Sequence, residues 1–187
     1  MTVLVAYATK HGSTRAVAEV VARGLGEAGF DVDLLAARAV RELAGYDAVV
    51  IGAALYVGRV HPDARRLLDR LRRELAGRPL ALFAMGPRTA TAKDIEASRR
   101  QLDAALEKAP DLKPLTVGVF GGAVDPTTLP FPLSRMPASD ARDWEAIGAW
   151  TAELGSLLER EGASVRRLGQ PKPSSAASTR VASVSRL

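Results

Sequence analysis

The sequence predicts an α/β domain built on a doubly wound, five-stranded parallel sheet with helices on both faces. Two observations carry that expectation. Short, near-continuous runs of apolar residues recur along the chain, as strands covered on both faces require. Between them lie stretches whose apolar residues repeat at helical spacing. Alternation of this kind winds a right-handed parallel sheet between two helical layers. The composition agrees: 47% hydrophobic and 25% charged residues in a chain of 187 suit one domain with a substantial core and exclude global disorder.

The first strand is read at residues 3–7 (VLVAY), and a helix follows over about 14–28, with Val17, Val20, Val21 and Leu25 on one face. Strand two is 32–35 (VDLL). The shorter and less regular segment 37–45 is expected to form the crossover helix to strand three at 48–52 (AVVIG). Helices at about 62–75 and 93–108 flank strand four at 80–85 (LALFAM), and strand five is 115–120 (LTVGVF). A last helix covers about 141–160, where Trp144, Ile147, Thr151, Leu154 and Leu158 recur at helical spacing.

Charge divides the chain. Residues 1–162 hold 21 Lys and Arg against 21 Asp and Glu, so they are formally neutral, whereas 163–187 carry Arg166, Arg167, Lys172, Arg180 and Arg186 with no acid and account for the whole +5. Residues 1–162 are therefore expected to form the domain. Residues 163–187, rich in Ser, Ala and Pro without a hydrophobic period, are expected to be a disordered basic tail. A neutral domain argues against specific nucleic-acid binding. With no cysteine and only His11 and His61, thiolate chemistry and histidine-based metal sites have no ligands to draw on, and no metal is expected. The first apolar run begins without a basic leader, and the longest, 48–58, falls short of the roughly 20 residues a bilayer demands. A cytoplasmic protein without a transmembrane segment is expected, peripheral membrane contact remaining compatible with it. The final Ser185-Arg186-Leu187 is a near match to the peroxisomal form S-K-L, of a kind that a Ser- and Arg-rich segment generates by chance.

Sheets of this class bind ligands outside the carboxyl ends of their strands, which singles out loops 8–14, 53–61, 86–92 and 121–126. The first reads Thr9-Lys10-His11-Gly12-Ser13-Thr14, directly after a strand and before a helix. Its hydroxyls, its glycine and the amides of the helix start form a phosphate cradle on one reading and an ordinary capped helix on the other. Gly24-Leu25-Gly26-Glu27-Ala28-Gly29 matches the dinucleotide fingerprint in letters. Its place at the end of a helix assigns those glycines to a C-cap and turn instead.

The stretch Tyr7-Ala8-Thr9-Lys10-His11-Gly12-Ser13-Thr14 resembles the phosphate loop of flavodoxin-like proteins, T/S-x-T-G-x-T, with His11 where the pattern has its second threonine. Gly52 to His61, Phe120-Gly121-Gly122-Ala123 and Asp143-Trp144-Glu145 are similar to the corresponding segments of flavodoxin-like, quinone-dependent protoporphyrinogen dehydrogenases. The resemblance implies a flavodoxin-like fold over about residues 2–160 and FMN as the noncovalent cofactor. It places the phosphate on Thr9, Lys10, His11, Gly12, Ser13 and Thr14, and the ring among Ala54, Leu55, Tyr56, Val57, Gly58, Gly86, Pro87, Arg88 and Thr89. Tyr56 reads as the stacking aromatic or as a partly buried structural tyrosine, and the 86–92 loop offers no aromatic, which on the first reading leaves one ring face to a substrate. Arg59 and Arg88, with Gly122, are candidates to hold an acidic substrate, because a guanidinium grips a carboxylate bidentately. No catalytic side chain is singled out.

The implied activity is an FMN-dependent oxidoreductase similar to protoporphyrinogen dehydrogenase, accepting reducing equivalents from an organic substrate. A flavodoxin-type electron carrier and a non-catalytic binding module are the alternatives, and the partners are a small redox substrate or a redox protein. Residues 124–139 are shorter and less basic than the membrane-facing insertion of those dehydrogenases. Phe131, Leu133 and Met136 there read as a small apolar lid or as an ordinary packed loop.

Overall fold

The computed structural model describes residues 1–168 except 57–58, 87–90, 125, 129–130, 132 and 136, with Tyr56, Val124, Thr128, Leu133 and 165–168 described by backbone alone. The chain runs β1 (Thr2–Ala8), α1 (Ser13–Glu27), β2 (Asp31–Ala36), β3 (Ala48–Tyr56), β4 (Arg59–Val60), α2 (Pro62–Arg70), α3 (Arg72–Ala76), β5 (Leu80–Met85), α4 (Ala92–Leu106), β6 (Thr116–Phe120), β7 (Ala123–Val124), β8 (Ser139–Asp140) and α5 (Trp144–Leu168).

The five expected strands pair in parallel in the order β2-β1-β3-β5-β6, and β4 folds back antiparallel on the end of β3. Strand order reverses between β1 and β3, so the crevice beyond their carboxyl ends is the topological switch point. Side chains alternate faces along each strand. Val3 and Val5 of β1, Val50 of β3 and Phe83 of β5 enter one core with Val17, Val21 and Leu25 of α1 and Ile147, Trp150, Leu154 and Leu158 of α5. Leu4, Ala6, Ile51 and Leu82 enter the opposite core with Leu67 of α2 and Leu75 of α3. Phe83, Phe120 and Trp150 meet at 5.8–6.3 Å between ring centroids. Gly52 makes room for them, since a Cβ there would lie 2.0 Å from the Phe83 ring.

Three expectations are revised. Segment 37–45 is not a helix. Val40 and Leu43 are buried at helix-like spacing, yet the backbone between them is irregular and its polar groups are taken by side chains from afar. The Arg78 guanidinium donates to the Tyr46 and Leu43 carbonyls at 3.0 and 3.3 Å, Arg70 donates to the Val40 carbonyl, and the Leu43 N–H donates to the Glu74 carboxylate at 3.3 Å. The expected helix over 62–75 is two helices, separated at buried Leu71, whose φ of −103° interrupts the first. The last helix reaches Leu168, so residues 163–168 are helical, while 169–187 of the expected tail lie outside the described residues.

At the end of α1 the glycines act as a cap. Gly29 has φ +89°, and the Phe30 N–H reaches back to the Leu25 carbonyl at 3.1 Å, the six-to-one bond of a Schellman turn. Gly24 lets α5 approach, since a Cβ there would meet the Thr151 methyl at 2.8 Å. Because α5 runs back along the sheet, Leu158, Glu159 and Gly162 lie beside Met1, Asp47 and Pro79 around a cleft of about 750 Å³ at the amino-end edge.

Candidate functional site

Register places the expected loops side by side. Ala8 pairs with Ala53, Ala54 with Met85, and Met85 with Phe120, so the residues that follow form a row along the carboxyl edge. Thr9 to Gly12 leave β1, Ala54 to Tyr56 end β3, Gly86 leaves β5, and Gly121 and Gly122 leave β6. The row is tied laterally: the Gly86 N–H donates to the Phe120 carbonyl at 2.8 Å, and the Ala141 N–H to the Gly122 carbonyl at 3.0 Å. A Cβ on Gly121 would lie 1.9 Å from the Ala141 carbonyl oxygen, so only glycine admits the segment that follows β8 so closely. Val57, Gly58, Pro87, Arg88 and Thr89, all expected at the ring, lie outside the described residues, and Tyr56 is placed by its backbone only.

Four helices begin at this edge, and α1 differs from the rest. For α2 the cap is His61, whose Nδ1 accepts from the Asp63 N–H at 3.2 Å, with the Asp63 acid in the first turn. For α4 the Thr91 hydroxyl accepts from the Asp94 N–H and donates to the Asp94 carboxylate at 2.6 Å. For α5, Asp143 accepts from the Ala146 N–H at 2.9 Å. Helix α1 has no side-chain cap and no acid in its first turn. Gly12 starts it at φ +85°, and the Gly12 N–H donates to the Thr9 Oγ1 at 3.0 Å, which folds the loop and leaves the Thr9 hydroxyl its own proton to donate. The first intrahelical bond is from Ala16 to Gly12 at 3.1 Å, so the N–H groups of Ser13, Thr14 and Arg15 precede it.

Thr14 supplies the decisive atom. It is fully buried, and its Oγ1 has no hydrogen-bond partner among the described residues. An orphaned hydroxyl costs on the order of 1–3 kcal/mol, and here it sits at the positive end of a helix with open amides. A bound phosphate would satisfy it. Thr9, Gly12, Ser13 and Thr14 thus fit an anion, which favours the cradle over the capped helix. Lys10 is exposed and His11 half-buried in the same loop.

Around this corner Arg59 is exposed on β4, and no ion pair involves it among the described residues. In the β6–α5 connection, β7 and β8 pair antiparallel, a feature that two-residue strands hide from sequence. Arg142 pairs with Asp140 at 2.8 Å and holds that carboxyl below its ordinary range through the hydrogen bond. The Arg142 guanidinium lies 4.7 Å from the Trp144 ring centroid. Trp144, expected on the buried face of the last helix, is 43% exposed, and Trp150 takes the interior place. Phe131 is 73% exposed with Arg135 over its ring at 5.1 Å.

A doubly wound sheet with an uncapped, glycine-led helix at its switch point defines a phosphate-binding α/β protein, and the flavin mononucleotide binders are one such class. A flavodoxin domain family model matches residues 4–134 of this chain. No protein with a curated description matches it. Oxidised flavodoxin 2 from Bacillus cereus is similar at TM-score 0.59 and 18% identity, over 86% of this chain and 99% of that one. Flavodoxin 1 from the same organism is similar at 0.57 and 17%, over 82% and 97%. A flavo di-iron protein from Thermotoga maritima gives 0.52 and 17%, over 86% of this chain and 35% of that one. At these identities the likeness shows the fold. The chain belongs to the flavodoxin domain family, whose cofactor is FMN.

Proposed function

We propose that this chain is an FMN-dependent electron-transfer protein that exchanges electrons at the carboxyl edge of its sheet. One observation carries the reading: the uncapped start of α1 with the buried, unpartnered Thr14 hydroxyl beside it. FMN, when bound, supplies one- and two-electron redox chemistry. The chain contributes position and electrostatics. Thr9, Ser13 and Thr14 would donate hydroxyl hydrogens to the phosphate, the first amides of α1 would add theirs, and Lys10 would add charge. Ala54 to Gly58 and Gly86 to Thr89 would border the ring, with Tyr56 as the aromatic surface.

A second reading, an oxidoreductase acting on an acidic organic substrate such as protoporphyrinogen, is favoured by Arg59. Exposed beside the end of β3 and without an ion pair among the described residues, it would hold a carboxylate, with Arg88 and Gly122 as further candidates.

Titration with FMN, FAD and riboflavin tests the cofactor assignment, and tighter binding of FMN is expected. The two readings separate on anaerobic mixing of the FMN-loaded protein with protoporphyrinogen. Direct bleaching of the visible flavin band, slowed by Arg59→Ala, supports the oxidoreductase. No bleaching by the small molecule, with rapid exchange with a flavodoxin reductase, supports the carrier.

A further inference from the structure

We propose that His11 makes FMN binding proton-linked: the imidazole takes up a proton from solvent as the phosphate dianion enters the loop, and FMN affinity then reports pH. The inference rests on the FMN reading and deepens it. His11 immediately precedes the N-cap Gly12, in the loop whose helix start lacks a side-chain cap and whose Thr14 hydroxyl is buried without a partner. It therefore lies next to the place where negative charge arrives.

Among the described residues the ionisable company at this corner is mostly cationic. Lys10 shares the loop, and Tyr7 ends β1. In the first two turns of α1 the acid is Glu19, whose carboxylate is already paired with Arg15 at 2.9 Å. Arg38 follows β2 next to Tyr7, where the Ala37 N–H donates to the Tyr7 carbonyl at 2.8 Å, and Arg59 is on β4. Tyr7 and Arg15 interact electrostatically. A dianion entering among these groups favours the charged imidazole, because an opposite charge nearby stabilises the ionised form. An imidazolium donates a charge-assisted hydrogen bond from either ring nitrogen, whereas a hydroxyl at this position would bind with no proton taken up. Imidazole is the side chain whose unperturbed form changes charge in the neutral range. A phosphate monoester is chiefly dianionic above its second pKa of about 6. At pH 7.5 the ligand itself contributes little to the proton count.

The experiment is calorimetric titration of the full apo chain with FMN at pH 7.5 in several phosphate-free buffers of different ionisation enthalpy. The expected result is a dependence on buffer showing uptake of a fraction of a proton, absent with riboflavin and absent in His11→Thr. The preference of the wild type for FMN over riboflavin should fall on the order of tenfold more steeply between pH 6 and 8 than that of His11→Thr. The chain has two histidines, so the ring-proton NMR signals of the wild type give a second readout that needs no folded variant. His11 should titrate at higher pH with FMN than with riboflavin. Equal buffer dependence in the variant, or a His11 signal indifferent to FMN, overturns the inference while leaving the cofactor assignment intact. Riboflavin binding as tightly as FMN at every pH overturns the cofactor assignment itself, and this inference with it.

Discussion

Two irregular segments of this chain lie beside the same strand, β1, and treat their polar groups in opposite ways. The connection from β2 to β3 has no helix, yet the carbonyls of Val40, Leu43 and Tyr46 are taken by Arg70 and Arg78, and the Leu43 N–H by Glu74. The loop from β1 to α1 is short and glycine-led, and among the described residues it leaves a buried hydroxyl without a partner and the helix start without a side-chain cap. Backbone that leaves regular structure must satisfy its polar groups somewhere. Where distant side chains do so, the segment is scaffold. Where they do not, the donors that remain suit a ligand carrying acceptors, as the proposed function requires.

Breaking the open loop is expected to have the largest effect. Thr9→Ala combined with Thr14→Ala removes two donors and should weaken FMN on the order of a hundredfold, with riboflavin affinity nearly unchanged. Fluorescence titration with both flavins measures this. Thr14→Val alone keeps the shape and removes the orphan. Its melting temperature without ligand should hold or rise while FMN affinity falls about tenfold, since replacing an unsatisfied buried hydroxyl by a methyl relieves its desolvation cost.

Breaking the closed segment should do the reverse. Arg78→Ala strands the Tyr46, Leu43 and Glu74 carbonyls and should cost about 1–3 kcal/mol of stability, read from urea unfolding, with FMN affinity of the folded protein retained. A smaller effect is expected at Asp140. Its carboxyl, held below the ordinary range by the Arg142 hydrogen bond, stabilises the fold above the unfolded-state value and stops doing so as the pH falls through the lowered folded value. The stability difference between wild type and Asp140→Asn should therefore vanish in acid. At neutral pH it should reach at most about 1 kcal/mol, because the pair is partly solvated. Removing residues 169–187 is expected to change neither melting temperature nor FMN affinity.

The same contrast explains what the sequence disclosed. The five parallel strands were legible because burial on both faces leaves an apolar run, and the hydroxyl- and glycine-bearing loop after β1 stood out because its residues are local. Segment 37–45 misled, since Val40 and Leu43 imitate a helical period while their backbone partners, Arg70, Glu74 and Arg78, lie about thirty residues away. No local pattern announces such bonds. His61 as the cap of α2 was signalled by the proline that follows it, a residue favoured in the first helical turn, but its imidazole role was not. Trp144 and Trp150 sit on one helix, and periodicity alone chose the exposed one for the core.

Helix α5 starts beside the row of loops and finishes past the opposite edge, a rise of about 37 Å at 1.5 Å per residue for its 25 residues. An attachment made after Leu168, to an electrode, a bead or a fused enzyme, is thus made far from the crevice. The molecule would be held by its back. Electrons exchanged at the proposed site would enter and leave on the side facing away from the support, and lengthening the linker would change the reach of the protein without covering that edge.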